Sequence, residues 1–145
     1  MAVARYLPDT SAWARIRHPV VHAAVAPLAD RGLLGTCSII DLEILYSART
    51  GTEHEYFGEQ RTAFDYFPMT DEIARRAIEV QGVLAQKSQH RSVSIPDLMI
   101  AATAERYALT VLHYDGDYER IAEVTGQATQ WIVPRGTADL RQAGG

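Results

Sequence analysis

Asp9, Glu43, Asp97 and Asp115 are the residues of this chain best placed to do chemistry. Each lies where an apolar stretch, or an apolar helix, meets a polar break. Asp9 follows Val3-Ala4-Arg5-Tyr6-Leu7-Pro8, and Asp115 follows Thr110-Val111-Leu112-His113-Tyr114. Glu43 lies within Ser38-Ile39-Ile40-Asp41-Leu42-Glu43-Ile44-Leu45, and Asp97 within Ile95-Pro96-Asp97-Leu98-Met99-Ile100-Ala101-Ala102. A carboxylate in apolar surroundings is costly unless it is paired, hydrogen-bonded or metal-bound. Four at such junctions suggest one shared cation. Without it they would repel one another and retain protons. All-oxygen ligation suits Mg²⁺ or Mn²⁺. Such an ion activates water and stabilises charge on a phosphoryl group, so the expected chemistry is metal-assisted hydrolysis of a phosphate ester.

The elements that must position these acids alternate between short apolar runs and longer helical periods. That alternation predicts an α/β fold with a mostly parallel sheet. Val3–Leu7 reads as a first strand, followed by a helical stretch from about Ala12 to Arg17 and a helix from Pro19 to about Asp30, with proline tolerated in the first turn. Leu33–Thr36 is a second strand. Ser38 reads as an N-cap with Asp41 three residues later, a relative of the capping box, opening a helix to about Arg49. Glu53–Arg61 is a further helix and Phe64–Phe67 a strand. Thr70 caps the longest helix, Asp71–Ser88, whose apolar face is Ile73, Ala77, Val80 and Leu84. Ser94 caps a helix over Asp97–Tyr107. Thr110–Tyr114 is a strand, Asp115-Gly116-Asp117 a turn, Tyr118–Thr125 a short helix and Gln130–Val133 a last strand, with a polar tail from Pro134. Ligands of an open parallel sheet collect outside the carboxyl ends of its strands. If the first and fourth strands are neighbours, the four acids converge on one crevice.

The 145 residues, 47% of them hydrophobic, are expected to form one domain, 1–145. A net charge of −4 neither announces nor excludes a nucleic-acid partner, because a local patch is independent of the total. The single cysteine, Cys37, excludes an internal disulfide framework and a cysteine-rich zinc site. There is no signal segment and no apolar run approaching a bilayer span, so a soluble cytoplasmic protein without a membrane partner is expected.

The chain resembles PIN domains, in particular the VapC toxins of bacterial toxin–antitoxin pairs, over nearly its whole length. Leu7-Pro8-Asp9-Thr10-Ser11-Ala12 is similar to the family's opening strand, acid and small hydroxyl residues. Asp41-Leu42-Glu43-Ile44-Leu45 is similar to its second acidic helix, and Ile95 to Ala104 to the helix bearing its third acid. Val111 to Ile121 is similar to its strand–Asp–x–Asp–aromatic ending. The chain has His113 where the family often has Thr or Ser. The resemblance implies a PIN-like α/β/α sandwich with a central, mostly parallel sheet of four to five strands. It implies a Mg²⁺-dependent endoribonuclease, Mn²⁺ substituting, that cleaves RNA phosphodiesters with metal-activated water. Asp9 and Asp97 would be metal ligands, Glu43 would ligate directly or through water, and Asp115 and Asp117 would complete the cluster. Thr10 or Ser11 would donate to a carboxylate or phosphate. The implied partners are a VapB-type antitoxin and a second copy of the chain, with a higher hetero-oligomer when the antitoxin is bound. Val20, Val21, Val25, Tyr46 and Tyr56 are candidates for those interfaces.

Structural roles compete with each assignment. Asp9 is a candidate helix cap, Asp97 the acid of a capping box, and Glu43 an exposed helix residue. Asp117 divides evenly between cap of the helix from Tyr118 and member of the cluster. His18 and His22, four apart without a third partner, read as surface residues, and Trp13 and Trp131 as packing groups. Arg15, Arg17, Arg49, Lys87, His90 and Arg91 are candidate phosphate contacts. Two other functions compete with a nuclease: a phosphatase or phosphotransfer domain on a similar doubly wound sheet, and a non-catalytic PIN-like binding module. A haloacid-dehalogenase-type phosphatase needs a second Asp at position 11, where Ser stands, and a receiver domain needs an acidic pair at the first strand end and a late lysine.

Overall fold

The computed structural model describes residues 3–139. Five short strands, β1 (Tyr6–Pro8), β2 (Gly35–Thr36), β3 (Asp65–Tyr66), β4 (Thr110–His113) and β5 (Thr129–Trp131), all run parallel. β1, β4 and β5 form one ladder and β2 and β3 another. A parallel bridge between Tyr6 and Leu34 joins them, giving the spatial order β3-β2-β1-β4-β5. The chain crosses to one side of β1 for β2 and β3 and to the other for β4 and β5. The reversal point of the sheet is therefore the carboxyl edge shared by β1 and β4, where doubly wound sheets open a crevice.

Alternation along the strands sends side chains to two cores. Leu7 and Val111 face one side, packed with Ile73, Leu84, Ile100 and Ile121. Leu112 and Leu34 face the other, packed with Val21, Val25 and Ile132. The result is an α/β/α sandwich. The helices are α1 (Thr10–Trp13), α2 (Pro19–Asp30), α3 (Ser38–Tyr46), α4 (Gly51–Arg61), α5 (Asp71–Gln86), α6 (Ile95–Arg106) and α7 (Asp117–Thr125). Ile73, Ala77, Val80 and Leu84 are the buried face of α5, as their spacing predicts. Val21 and Val25 are core residues of α2, which removes them from any partner surface and leaves only Val20 exposed among those three valines. None of the described helices is long and apolar enough to cross a membrane.

Several boundaries depart from the sequence reading. The first strand is Tyr6–Pro8 rather than Val3–Leu7, and α1 is a four-residue turn instead of a helix reaching Arg17. α3 stops at Tyr46, short of Arg49, and β5 ends at Trp131 rather than Val133. Cys37, not Ser38, holds the N-cap position of α3, without a side-chain cap bond. Asp41 serves a different purpose. It accepts from Thr36 Oγ1 at 2.6 Å and from Arg61 Nε at 2.9 Å. The buried Arg61 guanidinium also donates to Thr36 and lies 4.9 Å from the Trp13 ring and 4.8 Å from the Phe64 ring. This knot ties α4 to α3 and β2.

The segment after Pro134 is not a free tail as far as Asp139. Ala138 is buried, and the Tyr114 hydroxyl accepts the amides of Gly136 and Ala138 while donating to Asp139 Oδ1.

Candidate metal centre

Three peptide segments converge at the β1/β4 edge. Asp9 leaves β1 directly into the first turn of α1 and is the N-cap of that turn, accepting the Ala12 amide at 3.3 Å. It is 2% exposed and also takes a 2.6 Å hydrogen bond from Ser11 Oγ. Burial pushes its carboxyl up to about 6, against the lowering influence of those bonds. The carboxylate that caps α1 is thus the same one that lies near Tyr118 and whose charge raises Asp97.

Ser94 caps α6 by accepting the Asp97 amide at 3.2 Å, which leaves the Asp97 side chain in the first turn, facing the crevice. Burial, and then the charges of Asp115 and Asp9, push Asp97 up to about 7. Asp115 follows β4 and accepts the Asp117 amide at 3.0 Å, an Asx-type turn that starts α7. Asp115 therefore performs the capping bond expected of Asp117. Gly116 holds the N-cap position and Asp117 is the first helical residue. Its carboxyl is raised by burial and by Asp115.

One carboxylate oxygen from each of Asp97, Asp115 and Asp117 lies within 4.8 Å of the other two. Asp9 is outside that closest trio but lies against it: its charge raises Asp97, and the Tyr118 hydroxyl, donated to Asp97 Oδ1 at 3.1 Å, also faces Asp9. Glu43 stands apart, half-buried on α3, with Oε1 accepting from Thr10 Oγ1 at 2.9 Å. Thr10 and Ser11 thus both donate to acids, Thr10 to Glu43 and Ser11 to Asp9.

The donor set is carboxylate oxygen throughout, with no imidazole or thiol in the trio. Hard divalent cations such as Mg²⁺ and Mn²⁺ prefer that chemistry. After burial, the charges of Asp115 and Asp9 raise Asp97, and a cation among them would offset that repulsion.

Residues 6–124 match the PIN domain family model. This chain belongs to the PIN-domain family. Ribonuclease VapC51 of Mycobacterium tuberculosis is 49% identical to it over 135 residues, spanning 93% of this chain and 98% of the relative. Ribonuclease VapC21 of the same organism is 47% identical over 135 residues, spanning 92% and 98%. Among solved structures, DNA-bound VapBC from Salmonella typhimurium superposes with a TM-score of 0.71 at 18% identity, over 90% of this chain and 100% of that one. VapBC-5 from Mycobacterium tuberculosis gives 0.56 at 24% identity, over 89% and 98%. At those identities the structural likeness speaks for the fold alone.

Two side chains of this PIN domain carry more of the site than its sequence disclosed. His113 is fully buried, and its Nδ1 accepts the Asp115 amide at 3.2 Å. That bond fixes the neutral tautomer with hydrogen on Nε2, which has no partner among the described residues. Burial depresses the imidazole to about 4. Tyr118 is also fully buried, and burial followed by the charges of Asp9 and Asp97 holds its phenol protonated, well above the ordinary value. The sequence signal for Tyr118 was only an aromatic position after an Asp-x-Asp turn, and for His113 only its standing where the resembled family often has Thr or Ser.

Arg15 is not free to meet a phosphate. It donates to the Ser11 and Ala138 carbonyls and covers the Tyr114 ring at 4.4 Å. Arg17, Arg49, Lys87, His90 and Arg91 are exposed. His18 caps α2, accepting the Val20 amide through Nδ1. Trp13 packs on Phe64, and Trp131 on His113 and Tyr114.

Proposed function

We propose that this protein is the toxin of a toxin–antitoxin pair, an endoribonuclease that hydrolyses RNA phosphodiester bonds with Mg²⁺ held at the crevice between β1 and β4. The observation that carries the reading is the carboxylate trio of Asp97, Asp115 and Asp117, joined by a buried Asp9 whose carboxyl is raised. Its PIN-domain relatives named ribonucleases, at 47–49% identity, support the same activity.

Asp9, Asp97, Asp115 and Asp117 would hold the ion, with Glu43 ligating directly or through water. When bound, the ion supplies a water activated near neutral pH and neutralises charge on the phosphoryl group. The protein does the rest. Thr10 holds one oxygen of Glu43, leaving the other to orient the attacking water and take its proton. Ser11 keeps the Asp9 carboxylate turned into the crevice. Asp115 and Asp117 are set by the start of α7, so the acidic wall is fixed before RNA arrives. Arg17, Arg49, Lys87, His90 and Arg91 would hold the RNA backbone through salt-sensitive contacts.

A VapB-type antitoxin is the proposed inhibitor. An apolar groove lined by Trp13, Ile16, Ile44, Phe57, Arg61 and Phe64 offers it a seat beside the site. Exposed Val20, Tyr46 and Tyr56 are available to the antitoxin or to a second copy in a homodimer. Residues 1–145 would act as one PIN domain in the cytoplasm, where RNA substrates are.

The test is cleavage of a mixed RNA pool by antitoxin-free protein, with Mg²⁺ or with chelator, beside Asp97→Asn. Cleavage that needs both the metal and Asp97 is expected. Cleavage that persists in chelator would overturn the metal-dependent mechanism, and a folded, metal-bound protein that cleaves no RNA would favour a binding module.

A further inference from the structure

We propose that Tyr118 is a positioning residue of the metal centre, its hydroxyl setting the direction in which Asp97 and Asp9 face the ion. The inference rests on the metal-dependent reading above and names a part of that site outside the carboxylates themselves.

Tyr118 is the second residue of α7, yet its hydroxyl reaches Asp97 on α6, donating to Oδ1 at 3.1 Å, and lies against Asp9 at the end of β1. One phenol therefore touches acids from two other elements. It is fully buried, so no solvent competes for its proton. A buried hydroxyl is unfavourable unless bonded, and here the groups it meets are the two carboxylates.

The ring is held as firmly as the hydroxyl. It stacks on His113 with centroids 5.1 Å apart and planes 28° from parallel. His113 is pinned in turn by Trp131, 5.1 Å away, and by the Asp115 amide on Nδ1. The same imidazole thus fixes the ring that steers Asp97 and the backbone that carries Asp115. Three of the proposed ligands are registered to one another through His113 and Tyr118 before any ion enters. A phenylalanine would fill the ring's space equally well. The hydroxyl is the one part of the side chain that packing does not require.

Partners of this kind orient ligands, and their loss typically weakens metal affinity about 10–100-fold. The experiment is calorimetric titration of wild type, Tyr118→Phe and Tyr66→Phe with Mn²⁺ and Mg²⁺, together with thermal unfolding in chelator. Tyr66 is 58% exposed on β3 and serves as the control. The expected result is a dissociation constant about 10-fold or more higher for Tyr118→Phe, no change for Tyr66→Phe, and closely similar unfolding of all three without metal. Equal or tighter binding by Tyr118→Phe would overturn the positioning role while leaving the metal centre standing. A wild type that binds neither ion would overturn the metal centre itself, and this role with it. Should Tyr118→Phe not fold, the near-ultraviolet difference spectrum of the wild type on metal addition decides. A perturbed buried tyrosine, absent from the same titration of Asp97→Asn, supports the role, and a featureless spectrum overturns it.

Discussion

The backbone amide of Tyr114 donates to Ser11 Oγ at 2.8 Å, joining the end of β4 to the first turn after β1 across 103 residues of sequence. The same Ser11 oxygen donates its own proton to Asp9 at 2.6 Å. One hydroxyl thus closes the sheet's reversal point and aims its buried acid. Ser11→Ala would leave the Tyr114 amide without its acceptor, a cost of about 1–3 kcal/mol. It would also remove a bond that lowers the Asp9 carboxyl, raising it further. Urea unfolding should show the loss of stability, and Mg²⁺ titration near neutral pH should show weaker binding than wild type. Unchanged values in both would remove Ser11 from the site.

Stability of the metal-free protein should fall as pH rises. Asp9 is raised to about 6 and Asp97 to about 7, from an ordinary 3.8. The folded chain therefore binds more protons than the unfolded chain across that interval. The contribution of these groups is fully present below about pH 4 and is lost as pH climbs through about 6 and then 7. Burial depresses His113 to about 4, which opposes this trend below its ordinary 6.5, but two raised carboxyls outweigh one imidazole, so in chelator the thermal midpoint should be lower at about pH 8 than at about pH 5. Mg²⁺ at about 100 times its dissociation constant should restore about 2.7 kcal/mol at the higher pH. A midpoint indifferent to Mg²⁺ at pH 8 would contradict a cation-deficient crevice.

Arg61 should matter for stability rather than chemistry. Its guanidinium is 8% exposed, paired with Asp41 and packed against both the Trp13 and Phe64 rings, which also touch each other. Removing one partner of a buried pair costs about 3–5 kcal/mol. Arg61→Ala should lose about that much in urea unfolding while its Mg²⁺ affinity stays at the wild-type value under folding conditions. A shift in affinity without loss of stability would reverse the assignment.

The nearness of Asp97 to Asp115, the order of the elements and the long amphipathic face of α5 were legible because each rests on a local pattern. Alternation, caps such as Thr70 and Ser94, and acids at strand ends all act within a few residues. What the sequence hid acts at long range. Asp41 sits where a capping-box acid would, but its partner Arg61 is 20 residues away and only the fold brings them together. Arg15 carries an ordinary surface charge in sequence, yet it is consumed by carbonyls at Ser11 and Ala138. Val21 and Val25 look no different from exposed Val20 until α2 is laid on the sheet. Asp117 was ambiguous for a physical reason: in Asp-Gly-Asp either acid can cap, and Asp115 takes the bond, freeing Asp117 for the cluster.

Asp97→Asn should separate stability from activity with opposite signs. The Asp97 carboxyl is raised by burial and by the charges of Asp115 and Asp9, so in chelator at neutral pH its ionised form is unfavourable in the crevice. An amide of nearly the same shape removes one of the repelling charges and keeps an oxygen able to accept from Tyr118. In chelator at about pH 8, Asp97→Asn should therefore unfold at a higher temperature than wild type, and its stability should vary less with pH. The same variant should bind Mg²⁺ poorly and lose RNA cleavage by more than about 100-fold, beyond what loss of an orienting partner causes. Thermal unfolding with and without Mg²⁺, beside the cleavage assay, reads all of these on one preparation. A variant less stable than wild type in chelator would mean that Asp97 contributes more through its hydrogen bonds than it costs through repulsion. The metal would then be filling a crevice already balanced, not relieving one under strain.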